Sequence, residues 1–188
     1  MRIGIFGGSF NPIHNAHIYI AKYILHKLQL DKVIVVPVGK ASHKNLKMVD
    51  SKLRFEMCEK AFENEKNIVV SNIEVRTEKT SYTIDTLKKL ISIYGGHNEF
   101  YEIIGEDSAN NLTTWKNYEN ILKLSKIVIF RRGHYKNIIQ HKNIIYLNTP
   151  IYEISSTMIR EKIKNNEDVS NYLPQDVLKI IKAYNLYK

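Results

Sequence analysis

A single cysteine, a single tryptophan and four prolines stand in 188 residues, and the first of these scarcities closes off a class of protein. Cys58, alone, can form no internal disulfide, so the chain is not one of the small secreted scaffolds stapled by cystines, and a reducing, cytoplasmic location is expected. Its setting, Leu53-Arg54-Phe55-Glu56-Met57-Cys58, is a helical pattern with no motif residue beside the thiol, which predicts a packed core group rather than a nucleophile. No stretch approaches the roughly 18 apolar residues of a membrane span. Met1-Arg2-Ile3-Gly4 enters a strand pattern at once, with neither the apolar segment of a signal peptide nor an arginine-rich presequence in it, so export is not expected. Internal repeats, linkers and low-complexity segments are also missing, so one domain over residues 1–188 is expected.

Acidic residues are the other shortage: 19 Asp and Glu stand against 28 Lys and Arg, a formal charge of +9. That excess favours anionic partners through the long-range field. The lysines, however, run from Lys22 to Lys188 without a dense block or interleaved aromatics. Joint richness in Lys, Asn and Ile is also what A/T-biased coding produces. A solvated basic surface is therefore expected, not a nucleic-acid patch.

What is present is an alternation of apolar strands and amphipathic helices. Ile3-Gly4-Ile5-Phe6 reads as a strand that runs into a glycine turn. Ile18, Ala21, Leu25 and Leu28 then predict the buried stripe of a helix ending near Leu30. Val33-Ile34-Val35-Val36-Pro37-Val38 is apolar almost throughout, as suits a parallel strand covered on both faces. The rhythm continues with a helix over Lys52 to Phe62, a strand at Ile68 to Val70, a helix from Ile84 to Tyr94 and a strand at Phe100 to Ile104. A short helical region, a strand at Ile127 to Phe130 and another at Asn143 to Leu147 follow. Helices from Ser155 and from near Pro174 close the chain, the second with Val177, Ile180, Ile181 and Tyr184 on one face. The fold class predicted is α/β: a single Rossmann-like, doubly wound parallel sheet with C-terminal helices. The long loop from Gly39 to Ser51, carrying Lys40, His43, Lys44 and Lys47, is expected to be a lid over an anion.

Two constellations carry chemistry. In Gly7-Gly8-Ser9-Phe10-Asn11-Pro12-Ile13-His14-Asn15-Ala16-His17, glycines at a strand end let backbone N–H groups approach an anion, and the following helix N-terminus adds its positive dipole end. His14 and His17, three residues apart, are expected on one face of an exposed first turn. They are open to three readings: metal ligands, phosphate ligands or incidental surface residues. Zinc needs a third ligand, and the other histidines are scattered. In Ile154-Ser155-Ser156-Thr157-Met158-Ile159-Arg160, hydroxyl residues begin a helix and an arginine follows one turn later. A plain N-cap needs one hydroxyl; three with Arg160 suit a polyphosphate.

Together, in this order and separation, the two motifs resemble the nucleotidyltransferase superfamily. Ser81-Tyr82-Thr83-Ile84-Asp85-Thr86-Leu87, Ile103-Ile104-Gly105-Glu106-Asp107 followed by Trp115, and Tyr172-Leu173-Pro174 through Asn185-Leu186-Tyr187 narrow the resemblance to bacterial nicotinate-nucleotide adenylyltransferases. The similarity spans essentially the whole chain. It departs from the family pattern at Asn11, where Asp is usual, at Ser42-His43-Lys44, where Pro-His-Lys is usual, at Glu106 and at Lys116.

The resemblance implies a reaction in NAD biosynthesis that joins ATP to nicotinate mononucleotide and releases pyrophosphate. It implies His14 and His17 as catalytic residues. ATP would be held by Gly8, Ser9, Phe10, His14, His17, Gly105, Asp107, Ile154, Ser155, Ser156 and Arg160. Nicotinate mononucleotide would be held by Ser9, Phe10, Lys44, Thr83, Trp115 and Lys116, with the backbone N–H groups of Trp115 and Lys116 receiving the carboxylate. Trp115 would offer its face to the cationic ring, where core packing is the plain alternative. Asp107 is a partner for ribose or magnesium, or only a helix cap. Mg²⁺ is expected as a cofactor held by substrate phosphates and water, with no protein cage of carboxylates. The pattern specifies ATP and nicotinate mononucleotide as partners and specifies no nucleic acid, membrane or oligomeric state. Two other readings stand beside it: a pantetheine-phosphate adenylyltransferase, which the two phosphate motifs also resemble, and a non-catalytic nucleotide- or nucleic-acid-binding module.

Overall fold

A computed structural model of the chain describes residues 1–41, 48–77, 79–130, 139–150 and 152–188. Six parallel strands form the main sheet in the order β4-β2-β1-β6-β7-β8. They are β1 (Arg2–Gly8), β2 (Lys32–Pro37), β4 (Ile68–Val70), β6 (Glu99–Gly105), β7 (Lys126–Phe130) and β8 (Ile144–Leu147). A separate two-residue pairing joins β3 (Lys40–Ala41) to β5 (Thr80–Ser81), which the hydrophobic pattern does not foretell because neither segment is an apolar run. Of the predicted lid, Lys40 falls in β3, whereas His43, Lys44 and Lys47 lie outside the described residues.

Alternation along the central strands sends side chains into two cores. Phe6, Val33, Val35, Tyr101, Ile103 and Val128 face one layer, with Ala21 and Ile24 of α1 (Asn15–Lys27), Met57 and Cys58 of α2 (Ser51–Phe62), Ile159 of α6 (Ser156–Lys164) and Val177 of α7 (Gln175–Ala183). Ile3, Ile5, Ile34, Phe100, Ile104 and Ile127 face the other, against α3 (Thr83–Tyr94) and α5 (Tyr118–Leu124). Each large aliphatic side chain removed from water contributes about 1.5–3 kcal/mol, so the doubly covered strands are the main source of stability. Cys58 is fully buried, and burial pushes its thiol pKa up, as suits a packed group.

Three details differ from the sequence pattern. Both glycines of the first motif belong to β1, where Gly7 and Gly8 sit opposite Val36 and Pro37, so the turn itself begins at Ser9. The buried stripe of α1 is Ala16, Ile20, Ala21, Ile24 and Leu25, while Ile18 and Leu28 are only half-buried at its margins. The stripe is wider than a single repeat because the helix lies in a groove between the sheet and the C-terminal elements. On α7, Val177, Ile180 and Ile181 are buried but Tyr184, its C-cap, is exposed because the helix has run past the edge of its neighbours.

The strand order places the switch point between β1 and β6: the chain moves outward from β1 through β2 to β4 and returns to β6 on the other side. Open α/β sheets bind ligands in the crevice at the carboxyl ends of such strands. Gly8, Gly105 and the residues after them occupy that position.

Candidate active site

Past Gly8 the chain turns through Ser9 to Pro12 and enters α1 with His14 as N-cap. A Cβ at Gly8 would lie 2.9 Å from the Phe10 ring, so the turn folds back on the strand only because residue 8 has no side chain. Phe10, with φ of 42°, points inward and is buried against Phe6 and His17. Only its backbone is placed to meet a ligand.

The imidazoles of His14 and His17 stack with centroids 3.7 Å apart. His14 is buried, against the expectation of an exposed pair, because the N-cap residue packs beneath the turn rather than outside it. Its backbone N–H donates to His17 Nδ1 at 3.3 Å, which fixes the neutral His17 tautomer with hydrogen on Nε2.

The second motif meets the first directly. Ser155 is the N-cap of α6 and its Oγ accepts the Met158 N–H at 3.1 Å, the ordinary capping role. Ser156 Oγ donates to the Pro12 carbonyl at 2.8 Å, and Arg160 Nη1 donates to the Asn11 carbonyl at 2.9 Å. A cleft of about 280 Å³ lies between them, lined by Ser9, Asn11, His14, His17, Met48, Asp107, Ser155, Ser156, Thr157 and Arg160. Two helix N-termini, two imidazoles and one guanidinium thus converge on one space, the arrangement an anion requires. A larger groove of about 710 Å³ on the outer face of α1, flanked by Ile18, Tyr19 and Tyr23, contains none of the predicted site residues.

Other predicted residues lie near the cleft without lining it. Gly8 ends β1, and Gly105 ends β6 as the N-cap of α4 (Glu106–Ala109). Ile154 packs half-buried against the first core. Asp107 reaches the cleft from the first turn of α4, and its carboxylate caps no backbone N–H among the described residues, which removes the helix-cap alternative. Glu106 turns its side chain into the interior.

The residues expected to hold the ring lie on the opposite side of the sheet. Thr83 opens α3, and Trp115 follows a 3-10 turn over Leu112–Thr114, half-buried on the second core. The Trp115 N–H donates to the Leu112 carbonyl at 3.1 Å, so the expected pair of backbone donors reduces to that of Lys116; the closing bond of the 3-10 turn uses the other. Lys116 itself extends over the Tyr82 ring, 4.4 Å from its centroid, to Asp85 at 2.9 Å.

Sequence reasoning missed the groups that hold the cleft in shape. Arg54, 1% exposed, donates to the carbonyls of Ser9 and Val38, both at 2.7 Å, and of Val49 and Gly39 at 2.9 and 3.3 Å. Burial pushes its pKa down, yet a guanidinium keeps its charge. Asn11 Oδ1 accepts the Val49 N–H and the Tyr187 hydroxyl, at 3.3 and 3.0 Å. Both partners are donors, so a neutral amide oxygen suffices where the family pattern has a carboxylate. The one signal for Arg54 is its place on the apolar side of a helix, where a cation requires carbonyl or carboxylate partners.

The parallel sheet, with two helix starts meeting at its switch point, goes with the nucleotidyltransferases of the cytidylyltransferase-like class, whose family model matches residues 5–162. A Fusobacterium nucleatum protein named "Probable nicotinate-nucleotide adenylyltransferase" is 49% identical over 187 residues, covering 96% of this chain and 97% of its own length. A Clostridium novyi protein of the same name is 40% identical, with 98% of each chain covered. The fold matches the Plasmodium falciparum nicotinic acid mononucleotide adenylyltransferase complexed with NaAD, with a TM-score of 0.82, 24% identity and 99% and 97% of the two chains covered. The chain belongs to the nicotinate-nucleotide adenylyltransferase family.

Proposed function

We propose that the chain, acting as one nucleotidyltransferase domain, adenylylates nicotinate mononucleotide with ATP to give deamido-NAD and pyrophosphate. The convergence of His14, His17, Ser155, Ser156 and Arg160 on one cleft carries this reading. The attacking group is an oxygen of the mononucleotide 5′-phosphate, whose second pKa of about 6 leaves it mostly dianionic at neutral pH, so no general base is required. A bond forms from that oxygen to the α-phosphorus of ATP, and the bond to the bridging oxygen breaks, releasing pyrophosphate. The protein supplies alignment and positive charge.

His17, with hydrogen on Nε2, donates toward the reacting phosphates together with His14 and the backbone of Ser9 and Phe10. The Ser155 hydroxyl, the Ser156 backbone N–H and the guanidinium N–H groups of Arg160 not given to Asn11 hold the departing β- and γ-phosphates, while the Ser156 hydroxyl stays on the Pro12 carbonyl. Thr83 and the Lys116 N–H receive the carboxylate, and the Trp115 face takes the pyridinium ring at about 0.5–2 kcal/mol. Lys44 is assigned to the mononucleotide phosphate on its motif alone.

Mg²⁺ fits this site as an ion carried on substrate phosphates. Among the described residues no cluster of three His, Cys, Asp or Glu side chains could hold a metal, and Asp107 is the carboxylate that lines the cleft. When bound, Mg²⁺ neutralises phosphate charge.

Pyrophosphate release is the test, with ATP and either nicotinate mononucleotide or phosphopantetheine as acceptor. Turnover with the first is expected. Turnover with the second alone would assign the chain to the other acceptor, and none with either would leave a nucleotide-binding module.

A further inference from the structure

Glu102 lies in the middle of β6 and is 5% exposed. Phe100 and Ile104, two residues to either side, belong to the second core, so its side chain points to the face that carries Thr83 and Trp115. Its Oε2 is buried and has no hydrogen-bond partner among the described residues. The charged group acting on it is Glu74, from the loop after β4, whose own oxygens accept Thr86 Oγ1 at 2.6 Å and the Gly39 N–H at 3.3 Å. Among the described residues no lysine or arginine offsets it. A carboxyl so placed is costly, and native proteins rarely bury one without a purpose.

The carboxyl is not sealed off. Gly7, beside it on β1, is exposed, and within 4 Å of the position a Cβ would take there the structure places only Glu102 Oε1, at 4.0 Å. The space above Gly7 therefore opens downward onto this carboxyl, next to the phosphate turn and on the Trp115 side of the sheet. The missing counter-charge would have to arrive from that space.

Resting on the adenylyltransferase reading, we propose that Glu102 is a specificity-determining residue whose carboxyl forms the floor of the ring pocket and acts as counter-ion to the cationic pyridinium of the mononucleotide. Burial and Glu74 push its pKa up to about 8, so in the free protein it is mainly protonated at neutral pH. A cation above it favours the ionised form, and ring binding releases a proton from Glu102. The ligand carboxylate, at the Thr83 and Lys116 end, stays clear of it.

The experiment is calorimetric titration of nicotinate mononucleotide into the unaltered chain and Glu102→Gln, from pH 7 to 9.5 in buffers of differing ionisation enthalpy. This range lies above the phosphate pKa of the ligand. The unaltered chain is expected to bind about tenfold tighter at the upper end than at the lower and to release a fraction of a proton near pH 7.5. Glu102→Gln is expected to lose both effects and to keep the KM for ATP. Equal pH dependence in the two proteins, or affinity that falls with pH in the unaltered chain alone, overturns the role of Glu102. Pyrophosphate release by the unaltered chain, measured alongside, reports separately on the adenylyltransferase reading.

Discussion

The two ends of the site are built on different physical terms. At the phosphate end, charged and hydroxyl side chains are already committed to backbone carbonyls: Arg160 to Asn11, Ser156 to Pro12 and Arg54 to four carbonyls around the turn. At the end proposed for the ring, Lys116 is tied to Asp85 and the Tyr82 ring on the surface, and Glu102 has an oxygen with no hydrogen-bond partner among the described residues. Preorganised dipoles suit the proposed phosphate end, where on this reading charge shifts during reaction and any reorganisation would slow it. On the proposed reading the ring end takes a group that does not react, so it can wait for its ligand to complete it.

Breaking the buried clamp should have the largest effect. Arg54→Met leaves four carbonyls without their donor and should lower stability by about 3–5 kcal/mol in urea unfolding. A loss below about 1 kcal/mol would mean that the turn holds itself.

The ring end should respond in the opposite direction. Glu102 and its unfolded counterpart are both protonated below the ordinary carboxyl range, where stability has its full value. As pH rises toward about 8 the unfolded chain ionises while the folded one resists, so stability falls. Glu102→Gln removes that dependence and should be more stable than the unaltered chain by on the order of 4 kcal/mol at about pH 8, with no gain near the ordinary carboxyl pKa. A parallel pair of stability curves would contradict the buried, uncompensated carboxyl.

His17→Ala should lower kcat by at least about tenfold. Its ring also packs at 5.1 Å from Phe10, so a further loss of about 1 kcal/mol in stability is expected, which an exposed helix start would not show. The smallest effect sharpens the contrast: Trp115→Ala should raise the KM for nicotinate mononucleotide about fivefold and leave kcat within about twofold, consistent with binding that does not change during reaction.

The cleft shared by the two motifs was largely legible in the sequence because its parts are contiguous: a glycine strand end followed by His14 and His17, and a hydroxyl run followed by Arg160. Strand and helix order followed from apolar runs and helical spacing, since the doubly covered strands leave few competing patterns. Arg54, Tyr187 and Glu102 escaped because what they do depends on segments far away in the chain. Arg54 reaches back 45 residues to Ser9, and Tyr187 reaches 176 residues to Asn11. Helical or strand periodicity records whether a residue is buried, not which distant carbonyl or cavity it meets. The Trp115 N–H misled for a local reason, since the 3-10 turn that positions the ring also uses its donor.

The most direct measurement is a crystal structure of the chain with deamido-NAD. The account predicts both phosphates in the cleft between the start of α1 and the start of α6, within hydrogen-bond reach of His17 and Arg160, and the pyridinium ring between Trp115 and the space above Gly7. A dinucleotide seated elsewhere, with that cleft filled only by water, would contradict it.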